Sequence, residues 1–437
     1  MEAEHASVYA GLVNAVLPRF DFRASAAAVE DIGKVRETLE DAHRVAADAG
    51  LFLVADGIGG HKGGELASRL AIEAAEASFR SSRTQSILDA YASEPTLERR
   101  RAVMQRMRRA IEKAHEAVQQ KSYDSDDLLG MGTTLDVVCL LRNKVFIAHV
   151  GDARVYLARA QTTLQLTQDH TDFAMMKARG QIRPGARAVA SSRLASAVGP
   201  GEPPVPDLLC IEVGRGERLL VCTDGVHGQL STEQELSDLL RQGDAQTAAK
   251  ALVHAVSHLG RDNATALVIE IGDSFVKRPA ADRALAADDL LALQTSALLQ
   301  GLPEALLLGV LSAAVEQEIE VGETVAQAVA NDMAAYVVLS GLLELPGGRR
   351  VTTGALLFPE SLVGVAVSGL PVVKSAARLL RLRRDDFSEV CKADPALGVE
   401  LYRRVAEHVA RSGARSSEDG PGSGSPSGAP GAQSPSG

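Results

Sequence analysis

The sequence predicts an α+β fold: a four-layer αββα sandwich followed by a small β-roll with flanking helices. Three observations predict it. Short continuous apolar runs stop abruptly at Asp-Gly. Longer stretches between them carry apolar residues at helical spacing. Farther on, short apolar segments are punctuated by glycine. Continuous rather than alternating apolar strands imply burial on both faces, as when two sheets pack under helices.

Leu51 to Ala55 (LFLVA) is the first such run and ends at Asp56. Thr134 to Leu141 and Lys144 to Val150 flank Arg142-Asn143 as a hairpin. Arg154 to Ala158 continues the set, and Arg218 to Thr223 stops at Asp224. Gly64 to Arg80 and Leu97 to Gln120 read as amphipathic helices. The run NATALVIEI closes a first domain at residues 1–272. Residues 273–295 turn charged and Ala-rich and read as a linker. A second domain, 296–411, holds VGETVAQAVA, AAYVVLSGLLEL and GALLFPE between helical patterns, which suggests the β-roll. Residues 412–437 read as a disordered tail: of the last 25 residues, 18 are Gly, Ser or Pro, too few apolar groups to offset ordering entropy.

A chain of 437 residues accommodates two domains and tails. Its net charge of −10 gives no basic footprint, so nucleic acid is not an expected partner. Cys139, Cys210, Cys222 and Cys391 form no close pairs and no metal-ligand spacing, which suggests a reducing compartment. The N-terminus is acidic where a signal peptide would be basic. The longest apolar run, Ala305 to Val315, falls short of the ~20 residues a membrane span needs. A cytoplasmic location without membrane contact is therefore expected.

Four acids share one context. Asp56, Asp152, Asp224 and Asp262 each flank an apolar strand-like run, and Glu40 and Asp41 lie just upstream of the first. Hard ions such as Mg²⁺ and Mn²⁺ prefer carboxylate, carbonyl and water oxygens. Carboxylates on several strand ends can converge on a pair of such ions, which lowers the pKa of a shared water. Any one Asp-Gly is equally a plain turn, so the set as a whole carries the reading.

The motifs IGKVRETLEDAH, VADGIGGHKGGELAS, MGTTL, HVGDARVYL, LTQDHT, CTDGV and GRDNAT follow one another in order. Together they resemble the metal-dependent, type 2C serine/threonine protein phosphatases, from about Asp31 to Ile271. The resemblance implies that Asp56 bridges two Mn or Mg ions and that the Gly57 carbonyl binds one. It implies direct ligation by Asp224 and Asp262, while Glu40 and Asp41 act largely through metal-bound water. Arg36 would hold the phosphoryl group with its planar fork. Asp152, in GDAR, would help bind a weaker third metal, a site put in doubt by Gly228 where many relatives carry Asp. A bridging hydroxide would attack phosphorus in line, with no covalent phosphoenzyme. His61 in GGH is a candidate general acid or a structural histidine, Asn263 a supporting residue, and Thr133 and Thr134 structural. Phe173 to Gly199 would be a substrate-contacting flap.

The expected function is hydrolysis of phosphoserine and phosphothreonine on proteins, opposing bacterial serine/threonine kinases. The alternatives are a non-catalytic phosphatase-like scaffold and an enzyme acting on a phosphorylated anti-sigma-factor antagonist. The second domain, from about Gly301 to Val409, resembles cyclic-nucleotide-binding domains. Glu360 in Phe358-Pro359-Glu360 keeps the acid that would meet the ribose, but Pro359 replaces the usual glycine and removes a donor. The expected arginine falls near Val372, with Lys374 the nearest base, so a docking domain is the competing reading of this region.

Overall fold

A computed structural model describes residues 8–58, 62–159, 162–178, 193–260, 262–275, 292–302, 307, 310, 314–325, 333–365, 369–393 and 395–418. The chain divides into two compact units. The first runs to Gln294 and includes Gly301–Glu318; the second is Thr295–Gln300 and the chain from Ile319 onward.

The first unit contains two six-stranded sheets. In chain order its strands are β1 (Val8–Val16), β2 (Phe22–Asp31), β3 (Asp41–Ala46), β4 (Leu51–Ile58), β5 (Gly132–Thr133) and β6 (Leu135–Leu141). They continue with β7 (Lys144–Val150), β8 (Arg154–Arg159), β9 (Thr162–Gln165), β10 (Asp207–Glu212), β11 (Arg218–Cys222) and β12 (Ala264–Ser274). One sheet has the order β1-β2-β12-β11-β8-β9; the other is β10-β7-β6-β4-β3, with β5 beside β4. Every strand pair in both is antiparallel.

Side-chain alternation assigns the two faces of each strand. Leu51, Leu53 and Ala55 of β4 join a core with Ala71, Phe79, Met107 and Ile111 from helices α1 (Lys62–Arg80) and α3 (Leu97–Ser122). The short helix α2 (Ser82–Ser93) links them, its N-cap Ser81 accepting from the Thr84 amide. Across the sandwich, Ala266 and Val268 of β12 pack with Leu252, Val253 and Val256 on the helix Ala245–Ser257. The alternate residues, Phe52 and Val54 from one sheet and Ala26, Ala28, Leu267 and Ile269 from the other, are also buried. They fill the layer between the sheets, which gives the helix–sheet–sheet–helix order that the apolar runs predict. The small side chains of Ala24, Ala26 and Ala28 occupy this inner face of β2. Burying each larger apolar side chain contributes about 1.5–3 kcal/mol. All four cysteines are buried free thiols.

In the second unit, strand Ala334–Glu344 pairs antiparallel with Val372–Arg383 and with the short strands Arg350–Val351 and Leu356–Leu357. Tyr336, Val338, Phe358, Val373 and Leu379 form its core. The final helix runs Pro395–Glu418, past residue 412 where the sequence places the start of the tail. Among the described residues, no helix is long and apolar enough to cross a membrane.

Candidate active site

The acids predicted from the sequence lie near one another at strand ends because each sits where a strand starts or stops. Antiparallel register sets Asp41, the first residue of β3, directly opposite Asp56 near the end of β4. From the other sheet, Asp224 follows β11 and opens the short helix Asp224–His227, while Asp262 precedes β12. Asp152 lies in the turn between β7 and β8.

Asp41 ties the two sheets together. Its Oδ2 accepts hydrogen bonds from the hydroxyls of Thr223 at 2.8 Å and Thr265 at 2.7 Å. Burial still pushes its carboxyl up to about 8, with the charges of Asp224 and Glu30 adding to the effect of burial. Asp56 is held by its backbone: its amide donates to the Thr134 hydroxyl at 2.9 Å, and its carbonyl accepts from the Thr134 amide and the Thr133 hydroxyl. Burial raises its carboxyl well above the usual range, as do the charges of Asp41, Asp224, Asp152 and Asp262. Asp224 is raised by burial and by Asp262. Asp152 is pushed up to about 7, by burial first and then by Asp224 and Asp169. Carboxyls shifted upward together lack full compensation of their charge.

Arg36 reaches the same place. Its guanidinium donates to Asp262 Oδ2 at 2.8 Å while remaining part exposed. The loop carrying it is fastened to the segment before Asp262, where Gly260 accepts from the amides of Lys34 and Val35. Asn263 secures the neighbouring chain. Its side chain accepts from the Glu40 amide at 2.7 Å and donates to the carbonyls of Ile32 and Thr38. Glu40 is buried, and its carboxyl lies against Gly64, where an added Cβ would come within 2.7 Å of Oε2. Gly225 is required by contact: a Cβ there would stand 1.7 Å from the Asn263 carbonyl oxygen. Gly57 donates its amide to the Glu40 carbonyl at 3.2 Å. His61 lies outside the described residues, as do residues 179–192 of the expected flap.

Sequence reasoning missed the supports. Thr223 and Thr265 carry no signal beyond adjacency to Asp224 and a place on β12. His227 also went unread: its Nε2 donates to the Asp152 carbonyl at 2.9 Å, and burial first, then Arg154, lowers it to about 3. Burial and Arg154, not this contact, keep the ring neutral, and it donates from Nε2. The clue they share is a polar residue one to three positions from a candidate acid: Thr223 and His227 beside Asp224, and Thr265 after Asp262.

By its oxygen donors the site suits hard cations. Among the described residues, however, no group of three or more His, Cys, Asp or Glu side chains closes on a common point. Two carboxyls are turned to partners inside the protein, Asp41 to its two threonines and Asp262 to Arg36. Asp41 is fixed by its two threonines, whereas the Asp262 side chain is about a third exposed and can turn between staggered wells.

A sandwich with acids gathered at its strand ends matches a known class. The family model for protein phosphatase 2C matches residues 34–257, about half of the chain, and the chain belongs to that family. Among curated proteins it is similar to the serine/threonine protein phosphatase PstP of Mycobacterium tuberculosis, 32% identical over 248 residues. That alignment covers 56% of this chain and 45% of the relative, so the chain spans about half of that relative's length. Among solved structures it is similar to an S. agalactiae serine/threonine phosphatase, with 25% identity and a TM-score of 0.50, covering 57% of this chain and 99% of that one. It is also similar to the catalytic domain of PstP in complex with 2 manganese ions, with 29% identity, a TM-score of 0.48, and coverage of 57% and 99%.

Proposed function

We infer that the chain is a metal-dependent serine/threonine protein phosphatase that hydrolyses phosphoserine and phosphothreonine with water. One observation carries this reading: buried Asp41 and half-buried Asp56, Asp152 and Asp224 lie at neighbouring strand ends with their carboxyls all raised. Asp56, Asp224, Asp262 and the Gly57 carbonyl would hold two Mn or Mg ions. Asp41 and Glu40 would act through water, and Asp152 would serve a third, weaker site. When bound, the cations supply an acidified water as nucleophile and neutralise phosphoryl charge.

The protein's own residues do the rest. Arg36 exchanges Asp262 for the phosphoryl group, which its fork suits. Thr223 and Thr265 fix Asp41, and Thr134 fixes the backbone at Asp56, so the acids need little reorganisation when substrate arrives. Asn263 holds the Glu40 segment against the Asp262 turn. The role proposed with it is opposition to bacterial serine/threonine kinases.

The second unit's reading as a cyclic-nucleotide-type domain is supported by its antiparallel strands and by the turn at Phe358–Glu360. Lys374, the candidate phosphate base, is paired with Glu344 at 3.3 Å, which favours a docking role.

The test is phosphate release from a phosphothreonine peptide with Mn²⁺, with a chelator control and the Asp224→Ala variant. Turnover that needs Mn²⁺ and vanishes in the variant is expected. Absence of both turnover and Mn²⁺ binding in the wild type would sink the reading.

A further inference from the structure

Away from the acid cluster, helices α1 and α3 leave a groove of about 690 Å³ between them. Its floor includes Leu70 and Ala117. Its lining carries the cations Arg106, Arg109, Lys113 and Lys121 against the acids Glu116 and Asp124. That is a local excess of positive charge on a chain of net charge −10. Three of the cations have partners. Arg109 meets Glu112 at 2.7 Å, Lys113 meets Glu116, and Lys121 meets Asp124 at 2.6 Å. Arg106 forms no ion pair among the described residues, and its Nε is buried without a hydrogen-bond partner. Arg106 as a whole is half-buried and lines the groove, so an added acceptor would pair with its guanidinium from the groove side rather than at the buried Nε. A guanidinium is best satisfied by a carboxylate.

Helix α1 connects this groove to the site. Gly64 in its first turn lies against the Glu40 carboxyl, and Leu70 and Ala74 line the groove farther along the same helix. At 1.5 Å per residue the groove begins roughly 9–15 Å from the acids. An extended peptide covers that span in about three to five residues.

We propose that this groove docks an acidic segment of the phosphoprotein substrate, about three to five residues from the phosphorylated one, with Arg106 receiving a carboxylate. The proposal rests on the phosphatase reading above. Charge complementarity selects the acidic flank, and the apolar floor accommodates the aliphatic stem of a Glu.

The experiment uses the full chain with Mn²⁺ and three substrates: para-nitrophenyl phosphate, a phosphothreonine peptide with Glu at the fourth position on each side, and the same peptide with Gln there. The wild type should favour the Glu peptide about tenfold in kcat/KM, through KM, as a charge-assisted hydrogen bond implies. Arg106→Gln and Arg106→Glu should remove that preference and leave para-nitrophenyl phosphate turnover unchanged. Lys113→Glu, which reverses charge in the groove without touching the buried Nε, should weaken the preference even if the Arg106 variants fail to fold. Equal KM for the two peptides in the wild type, or an unchanged preference in Lys113→Glu, overturns the proposal. Failure of the wild type to hydrolyse para-nitrophenyl phosphate overturns the phosphatase reading first, and this docking role with it.

Discussion

The buried and half-buried acids of the first unit fall into two groups that differ in what faces them. Asp169 is pushed up by burial, but two hydrogen bonds from Arg154, both 2.7 Å, bring it below its ordinary value. Asp207 is likewise brought down by His170 against the effect of burial. Glu217 meets Arg159 at 2.5 Å, and Asp136 meets His149 at 2.7 Å in the layer between the sheets. Asp41, Asp56, Asp152 and Asp224 sit nearby and are all raised. Loss of water pushes the carboxyls of both groups upward. What faces them differs: Asp136, Asp169, Asp207 and Glu217 each meet a basic side chain, although burial still holds Asp136 and Glu217 above their ordinary range, whereas Asp41, Asp56, Asp152 and Asp224 chiefly face other acids.

The sharpest way to break this division is to remove one acid from each group. Asp56→Asn should lower kcat by at least about 10³-fold, or roughly 4 kcal/mol of barrier, in a steady-state phosphatase assay. The same change should stabilise the metal-free protein to denaturant, because it removes a repelled charge. If Asp56→Asn destabilises the chain, the acid belongs with the structural group. Arg159→Ala should do the reverse. It strands Glu217 in the interior and should cost about 3–5 kcal/mol of stability in urea unfolding, with kcat of the folded fraction nearly unchanged.

A pH titration separates the groups more gently. Asp41 is raised to about 8 and Asp152 to about 7, against ordinary carboxylates near 4. Between pH 4 and 8 the metal-free folded chain thus binds more protons than the unfolded chain, and its stability falls as pH rises. Melting temperatures of chelator-treated protein should be highest near pH 5 and drop by several degrees toward pH 8. Mn²⁺ at a hundredfold excess over its Kd should restore about 2.7 kcal/mol. A flat pH profile without metal would remove the distinction. The smallest effect belongs to exposed charge: Arg215→Ala breaks the pair with Asp273 and should shift stability by less than about 0.5 kcal/mol.

Much of this was legible in the sequence because apolar runs ending in Asp-Gly locate strand ends without knowledge of topology. The runs at 51–55, 144–150 and 218–223 fall on β4, β7 and β11, and the helical spacing at 64–80 and 97–120 on α1 and α3. The first two strands were not read. β2 is FRASAAAVED, and alanine favours helix by intrinsic preference, so its strand state comes from packing between β1 and β12. The acids themselves were visible, but their supports were not. Thr223 and Thr265 become partners of Asp41 only when two sheets face each other, a relation that linear spacing does not encode. His227 was hidden for the same reason, since its contact with Asp152 joins chain segments far apart in sequence.

If the chain hydrolyses phosphoesters as proposed, the bond from Thr265 on one sheet to Asp41 on the other makes turnover a gauge of assembly. A partly denatured molecule that kept both sheets but let them drift apart would retain its circular dichroism and lose catalysis. During stepwise addition of urea, loss of activity should therefore precede or accompany loss of strand signal, and renaturing chains should regain function only after the halves have closed on each other.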